Sequence, residues 1–492
     1  MEQSLVENST SNLQFRFETT NKHICNKAIE LEQQLIKDKK YKRNRGRDFA
    51  HAFNAILTCV EVYQGYEDNR WLRITTGNNA FSGKTAKGSE YTSEQKEAVK
   101  FLIKHGYLEK RDGVRQIKSA KKKFKRKPAW LPIAYVITPK WRAELFSEPQ
   151  CANHEIIRNH LASFIILRDT RYKTSKTGKS ESYKAVIPIT QAHRTANAEM
   201  FSKTSELLKA HDTIMANTTV SLGTKAIPSA QAFMRRIFSR NSFELGGRFY
   251  HDLQNRTSDT RRYLRLNNEP TVEVDYSGIH PSFLYAMAGI RLEADKAYSI
   301  DGFSRDDAKI AFNILINRNG TKDGSYGSVA NNLEISGDEA KRLVDGLYEA
   351  NTVIAEHFNT GYGLKLQYID SLMARTVIDL FVNQRKKPIL SIHDSFIVSV
   401  RDTEDLILTM VDAYRVVGEE VLHDDAMLSG IKTECLDFSD KMMNAIDRCC
   451  KQNTEGMDTE YWDTLIAEEP IQECPVDASS VETDDGEYPE AL

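Results

Sequence analysis

Cysteine, long apolar stretches and targeting segments are scarce or missing in this 492-residue chain. Its seven cysteines are odd in number and form no C-x-x-C pair, which is typical of a reducing compartment and excludes the usual structural zinc motifs. No apolar run approaches the roughly 18 residues of a membrane span, and the N-terminus lacks the apolar region of a signal peptide. These absences predict a soluble, cytoplasmic protein with no membrane partner, and they leave protein partners open.

Positive charge is missing from the end of the chain. Residues 452–492 contain 13 Asp or Glu and no Lys or Arg, so the net charge of −2 for the whole chain leaves +11 on residues 1–451. A basic body is typical of proteins that bind nucleic acid, although solvated surfaces also carry basic excess. The composition of 452–492 predicts an acidic disordered tail.

The first 150 residues combine basic runs with helical patterns. Residues 1–47 predict a basic N-terminal arm that serves either as a phosphate-binding segment or as a solvated linker. From Asp48 the pattern is helical, and Thr92-Ser-Glu-Gln95 predicts a capping box that opens a helix ending at Gly106. A strand, a basic loop and the strand-like stretch Ala134–Trp141 follow.

This order in residues 48–150 resembles winged-helix DNA-binding domains. The resemblance implies that the basic loop is the wing and binds the phosphates of duplex DNA. Its predicted DNA contacts are Lys121, Lys122, Lys123, Lys125, Arg126 and Lys127. A winged helix that binds protein remains the alternative.

Residues 151–240 carry a weaker signal. The stretch Tyr183–Ile189 favours a strand, and Ala192–Asn217 favours one long helix with charged faces. By its position in the chain we interpret this region as a helical, thumb-like connection.

Two short stretches carry the clearest chemical signal. They are Val-Glu-Val-Asp-Tyr-Ser-Gly-Ile-His at 272–280 and Leu-Ser-Ile-His-Asp-Ser-Phe-Ile-Val at 390–398. Each ends an apolar β-type run on an aspartate, Asp275 or Asp394, and the second predicts a hairpin that turns at His393-Asp394. Two carboxylates on neighbouring strand ends suit two Mg²⁺ ions that act on the attacking and leaving oxygens of a phosphoryl transfer. Nucleotidyl transfer is therefore the leading hypothesis.

Four blocks between 246 and 398 occur in the order found in the polymerase module of family A DNA polymerases, which this region resembles. Single-subunit phage-type RNA polymerases are more distantly similar. The blocks are Gly247-Arg248 with Leu253-Gln-Asn255 and Arg261-Arg262, then Val272–Ser277, then Arg305–Asn317, and finally His393-Asp394. Taken singly each is weak, because an aspartate after a strand is more often a turn residue and R-x-x-x-K on a helix is usually a solvated face.

The resemblance implies an α+β right-hand fold, with an antiparallel palm sheet and helical fingers and thumb. Residues 241–451 would form the palm and reduced fingers. In the implied site, Asp275 and Asp394 bind two Mg²⁺ ions, for which Mn²⁺ can substitute, while Lys309 neutralises charge on the phosphates. The implied nucleotide contacts are Arg305, Lys309, His280, Asn313 and Tyr276. The implied primer–template contacts are Arg248, Gln254, Asn255, Arg261, Gln367 and His393.

Several residues depart from the family pattern. Asn313 and Asn317 stand where the fingers helix normally has aromatics, His280 replaces a glutamate that crowds the 2′-hydroxyl, and Ser395 replaces a carboxylate. The leading prediction is a DNA polymerase that extends a primer with deoxynucleotides. A single-subunit RNA polymerase or primase is one alternative. A non-catalytic winged-helix replication initiator or transcription regulator is the other.

Overall fold

The protein is a mixed helix and strand structure with a central antiparallel sheet. Its structure, a computed structural model, describes residues 10–13, 17–39, 49–64, 71–74, 93–111, 134–146, 152–158, 163–174, 180–276, 278–290, 292 and 296–422. The basic residues predicted for the wing and the acidic tail at 452–492 lie outside these ranges.

The N-terminal module, within residues 10–146, has four helices and several short strands in its described parts. In chain order these are β1 (Thr10–Leu13), β2 (Phe17–Thr19), α1 (Lys22–Lys39), α2 (Phe49–Gln64), β3 (Trp71–Ile74), α3 (Ser93–Lys104), β4 (Leu108–Arg111), β5 (Ala134–Ile137) and α4 (Pro139–Glu144). Four strands form a sheet in the order β1-β3-β5-β4, and β4 pairs antiparallel with β5. Helix α3 ends before Gly106, which adopts the left-handed conformation (φ 75°) and turns the chain into β4.

The prediction that residues 1–47 form an arm is wrong for 17–39. Helix α1 buries Ile24, Ala28, Leu31 and Leu35, whose spacing places them on one face that packs on α2. Strand β2 is buried as well. This apolar periodicity was available in the sequence, but the polar majority of the segment obscured it.

The middle region contains more strand than predicted. Its elements are β6 (Ile156–Arg158), β7 (Ile165–Thr174), β8 (Ser180–Ile187), α5 (Gln191–Ala196), α6 (Ala198–Ala216), β9 (Val220–Leu222), β10 (Lys225–Ile227), β11 (Arg235–Phe238) and β12 (Gly246–Tyr250). The strand expected near Tyr183 is present as β8, and the expected long helix is divided at Asn197. The helical interpretation of 151–240 is therefore wrong, because strands from this region enter three sheets.

The C-terminal half holds the central sheet and the helices around it. Its elements are α7 (Ser258–Arg261), β13 (Leu264–Leu266), β14 (Glu269–Asp275), α8 (Ile279–Met287), α9 (Arg305–Asn317), α10 (Lys322–Leu333), α11 (Gly337–Ala350), α12 (Gly363–Asp379), β15 (Leu390–Ile392), β16 (Ser395–Ser399) and α13 (Thr403–Leu422). The central sheet has the order β10-β9-β13-β14-β16-β15, with every neighbouring pair antiparallel.

Alternation along β14 and β16 sends side chains to both faces of the central sheet. Val272, Val274, Phe396 and Val398 pack on one face against α6, α12 and α13. Ile397 faces the other way, into a cluster that also contains side chains of the N-terminal module. The sheet is thus covered on both faces.

We call this second cluster the shared core. It joins buried residues of both parts of the chain, among them Phe17, Phe53, Leu102, Phe233, Leu222, Leu264, Leu266 and Ile397. The rings of Phe17 and Phe233 meet edge to face at 5.9 Å, and Gln231 Nε2 donates to the Val62 carbonyl at 2.9 Å. Strand β2 also pairs with β6. The N-terminal module is therefore packed onto the back of the central sheet.

Candidate active site

The two aspartates singled out in the sequence lie at one end of the central sheet. Strands β14 and β16 are paired in a register that places Asp275 opposite Ser395, and the backbone N–H of Tyr276 donates to the Asp394 carbonyl at 3.3 Å. Asp275 is the last residue of β14, and Asp394 immediately precedes β16. The prediction that both lie on neighbouring strand ends is confirmed, although 118 residues of chain separate them.

Asp394 is held by a two-residue turn. Ile392 pairs with Ser395, so the hairpin of β15 and β16 turns at His393-Asp394, as predicted. His393 has a φ of 59°, in the left-handed region that glycine usually occupies in tight hairpins. Such backbone strain in a non-glycine residue is concentrated at functional sites.

The negative charge of Asp275 is only partly compensated by the neighbouring side chains. Asp275 is exposed, yet protein atoms around it remove part of its hydration, and this raises the pKa of its carboxyl. The nearby charge of Asp394 raises this pKa further, whereas the ammonium of Lys309 lowers it. The three predicted catalytic side chains are therefore close enough to interact electrostatically.

Helix α9 brings Lys309 to this site. Ser304 caps the helix by accepting the N–H of Asp307, and Ala308, Phe312 and Leu315 anchor its apolar face in a buried cluster. Its opposite face carries Lys309 and Asn313, both exposed, one turn apart. Arg305 lies one turn earlier, partly buried, with its guanidinium 5.5 Å from the centre of the Tyr298 ring.

A buried cluster next to the site joins Arg248, His280 and Asp370. The guanidinium of Arg248 forms a bidentate hydrogen bond with the carboxylate of Asp370, which is 2% exposed, and His280 Nε2 lies 2.9 Å from the same carboxylate. Burial alone would raise the pKa of Asp370, but the charge of Arg248 and the bonds from both partners hold it below its usual value. Arg248 and His280, predicted to contact primer–template and nucleotide, are thus tied to Asp370, a residue to which the sequence analysis assigned no role.

The Gly247-Arg248 pair depends on close packing. Gly247 has a φ of 79°, and a Cβ there would approach the Phe238 ring to 2.8 Å. Arg236, fully buried, donates to the Gly247 carbonyl at 2.7 Å and to Ser371 Oγ at 3.0 Å. These contacts fix β12 against α12, and with it the position of Arg248.

Other residues predicted to contact the primer–template have polar atoms enclosed by protein. Gln254 accepts a backbone hydrogen bond within its own turn. Asn255 Oδ1, Gln367 Oε1 and His393 Nδ1 have no hydrogen-bond partner among the described residues. Buried polar atoms are normally paired, so these three are exceptions among the described residues. Burial lowers the pKa of His393 to about 3, which leaves its imidazole neutral near pH 7.

Two of the predicted site residues have partners within the chain. Tyr276, expected to contact the nucleotide, points away from Asp275 because successive side chains alternate, and its hydroxyl donates to the Met410 carbonyl at 2.6 Å. Arg261, expected to bind primer–template, pairs with Glu273 at 2.7 Å. Glu273 also accepts the Ser395 hydroxyl at 2.9 Å, so this network links the ends of β14 and β16. Sequence reasoning missed Glu273, although its position two residues before Asp275 marked the same face.

The two aspartates suit a hard cation. Their oxygens are of the type that Mg²⁺ prefers, and Mg²⁺ commonly takes one or two protein carboxylates together with substrate phosphates and water. The repulsion by Asp394 that raises the pKa of Asp275 is the charge that a bound cation would relieve. Within the described ranges no group of three or more His, Cys, Asp or Glu suited to a metal is found.

No protein-family model matches the chain, and no curated protein matches it at a significant level. In the described part of the chain, no helix is both long enough and apolar enough to cross a membrane.

Proposed function

We propose that this protein is a template-directed nucleotidyltransferase, a DNA polymerase that extends a primer with deoxynucleotides. One observation carries the proposal: Asp275 and Asp394 lie on adjacent antiparallel strand ends, with Lys309 near enough to affect the pKa of Asp275. Phosphoryl transfer needs carboxylates for metal ions and cations for the triphosphate, and separate elements supply them here. The central antiparallel sheet and the helical cluster around α9 would serve as palm and fingers.

In this proposal Asp275 and Asp394 hold Mg²⁺. The bound metal would lower the pKa of the primer 3′-hydroxyl and stabilise negative charge on the phosphates. Lys309 and Arg305, one helical turn apart on α9, bind the triphosphate and neutralise the charge that develops on it. Asn313, exposed one turn further along the same face, would contact the next part of the nucleotide.

The neighbouring polar residues support positioning of the primer–template. Asn255, Gln367 and His393 each keep a buried polar atom for which a base edge or a sugar could be the partner. Because His393 is neutral, it can make such a hydrogen bond without the cost of burying a charge. Arg248 acts here through Asp370 and shapes the wall of the site.

His280 supports deoxynucleotide use. Its ring is held by Asp370 at 2.9 Å, so a bulky group stays fixed at the position where the resemblance implies crowding of the 2′-hydroxyl. RNA synthesis on the same scaffold is the competing outcome of the experiment below.

The deciding experiment is extension of a labelled primer on a DNA template with Mg²⁺, with deoxynucleotides or ribonucleotides. Wild type should extend with deoxynucleotides, and Asp394→Asn should abolish extension while DNA affinity stays nearly unchanged. Asp412→Asn, which removes an exposed carboxylate on α13, is the matched control and should extend normally.

Extension with ribonucleotides alone would assign RNA synthesis to the same site. Tight DNA binding by wild type with no incorporation of either sugar would overturn the enzyme proposal and favour the initiator or regulator. An equal loss of affinity and synthesis in Asp394→Asn would mean that the aspartate is structural.

A further inference from the structure

Strands β7 and β8 form a two-stranded ribbon that extends past the end of β11, the neighbouring strand of their sheet. The sheet has the order β12-β11-β7-β8, but β11 pairs with β7 only at residues 165–167. The pairing of β7 with β8 continues outward from Arg168 opposite Val186 to Thr174 opposite Ser180. At about 3.3 Å per residue, the part from Ile166 to Tyr172 covers about 20 Å.

The pairing register places both carboxylates of this ribbon on one face, together with Arg171 and Lys173, and leaves the other face with cations as its only charges. Residues 168–186 contain six Lys or Arg and two acidic residues, Asp169 and Glu181. Asp169 pairs with Ala185 and Glu181 with Lys173, so both acidic positions belong to one face. The other face is formed by a series without carboxylates. In order along the two strands, its members are Arg168, Thr170, Tyr172 and Thr174, opposite Val186, Lys184, Ser182 and Ser180.

This face, which we call the basic track, begins beside the candidate active site. Ile166 of β7 pairs with Ile237 of β11, and Ile237 pairs with Arg248 of β12. These residues therefore lie on the same face of the sheet as the basic track. Tyr250, on the same face, meets the His393 ring edge to face at 5.4 Å. His393 is next to Asp394 in the chain. The track thus leads from the catalytic end of the central sheet outward along the ribbon.

The side chains of the basic track are suited to phosphates. Arg168 and Lys184 are partly exposed, and Lys184 Nζ lies 3.4 Å from Thr170 Oγ1. Tyr172 is 73% exposed, so its ring and hydroxyl are accessible to a ligand on this face. Cations, hydroxyls and an aromatic ring in one row are the groups that bind nucleic-acid backbones. Asp169 on the opposite face would repel the same ligand.

We propose that the basic track binds the phosphate backbone of the primer–template duplex behind the primer end. This inference rests on the proposed polymerase function and assigns duplex binding to a β-ribbon within the region that the sequence favoured as a helical, thumb-like connection. A length of about 20 Å matches about six base pairs of B-form DNA, because phosphates along one strand recur every 3.4 Å or so of axis.

The positive charge of the basic track favours duplex DNA over a protein as its ligand. A protein partner would need an acidic surface, whereas every duplex offers a regular row of phosphates at the active site that the track adjoins. The spacing of side chains on one face of a strand, about 6.6 Å, lets alternate residues reach successive parts of that row.

The test measures binding of a primer–template duplex across a range of salt concentrations, without Mg²⁺ or nucleotides. Arg168→Gln should reduce the slope of log affinity against log salt by about 1, and the double variant with Lys184→Gln should reduce it by about 2. The matched control is Arg171→Gln, which removes an exposed cation from the opposite face and should leave the slope unchanged. Thermal unfolding of each variant verifies that the ribbon still folds.

Equal slopes for Arg168→Gln and Arg171→Gln would overturn the proposal, because the face would then not matter. A loss of affinity confined to single-stranded DNA would also overturn it, because the basic track would then bind single strands and not the duplex. The binding assay contains no Mg²⁺ or nucleotides, so its result does not depend on catalysis. If the basic track does not bind duplex, wild type should still extend a primer. If the protein is not a polymerase, the binding assay still shows whether the basic track binds duplex. In an active enzyme, the double variant should also give shorter products per binding event.

Discussion

Two aspartates on neighbouring elements of the site have opposite environments. Asp275 is exposed at the end of β14, and partial dehydration together with the charge of Asp394 raises the pKa of its carboxyl. Asp370 is buried in α12, where Arg248 and His280 lower the pKa of its carboxyl against the effect of burial. The comparison shows how one residue type serves two purposes. A carboxylate compensated by the protein stabilises the fold, whereas one left uncompensated is available to a cation.

Asp275→Asn should produce the largest effect of these substitutions. We expect it to reduce extension activity without reducing thermal stability. Removing a metal-binding carboxylate should slow extension on the order of 10³-fold, since metal ions contribute several kcal/mol to such transition states. Thermal stability should stay the same or rise, because the substitution removes repulsion with Asp394. Single-turnover extension and thermal unfolding of the same preparation test both halves, and a large drop in Tm would contradict the comparison.

Asp370→Asn should have the reverse profile. It leaves the guanidinium of Arg248 mostly buried without its counter-charge, a change that typically costs about 3–5 kcal/mol of unfolding free energy. Denaturant unfolding measures this cost. Asp412→Asn, at an exposed position, should change stability by no more than about 0.5 kcal/mol. Similar values for the two variants would show that the buried cluster does not hold β12 to α12.

The smallest effect that we expect is on the free energy of unfolding at acidic pH. Because the pKa of Asp370 is lower in the folded state than its usual 3.8, its contribution is complete above that value and is lost as pH falls through the folded pKa. The difference in unfolding free energy between wild type and Asp370→Asn should therefore shrink below about pH 4. Unfolding curves at pH 6 and pH 3 test this, and a constant difference would assign the cost of the substitution to packing.

Local patterns predicted the strand ends that carry Asp275 and Asp394 because the relevant information lies within a few residues. Alternating apolar residues before Asp275 and before the His393-Asp394 turn indicate strands that stop there. The same alternation implied that Tyr276 points away from Asp275, but the resemblance to polymerases led to the opposite assignment.

Pairings between distant parts of the chain could not be predicted in this way. Arg248 and Asp370 are 122 residues apart, and nothing near either residue indicates the other. The ribbon of β7 and β8 was only partly predicted, because its charged residues resemble a solvated helix as much as a strand exposed on both faces. Tertiary packing determines such elements more than local propensity does.

The shared core makes the two parts of this protein one folding unit. Deleting residues 1–146 would uncover Leu222, Leu264 and Leu266 on the back of the central sheet, so the remaining polypeptide would aggregate instead of acting as a smaller enzyme. Such packing also sets a constant separation between the N-terminal module and the end of the sheet where Asp275 and Asp394 meet, so a substitution in the shared core would change the stability of both parts together.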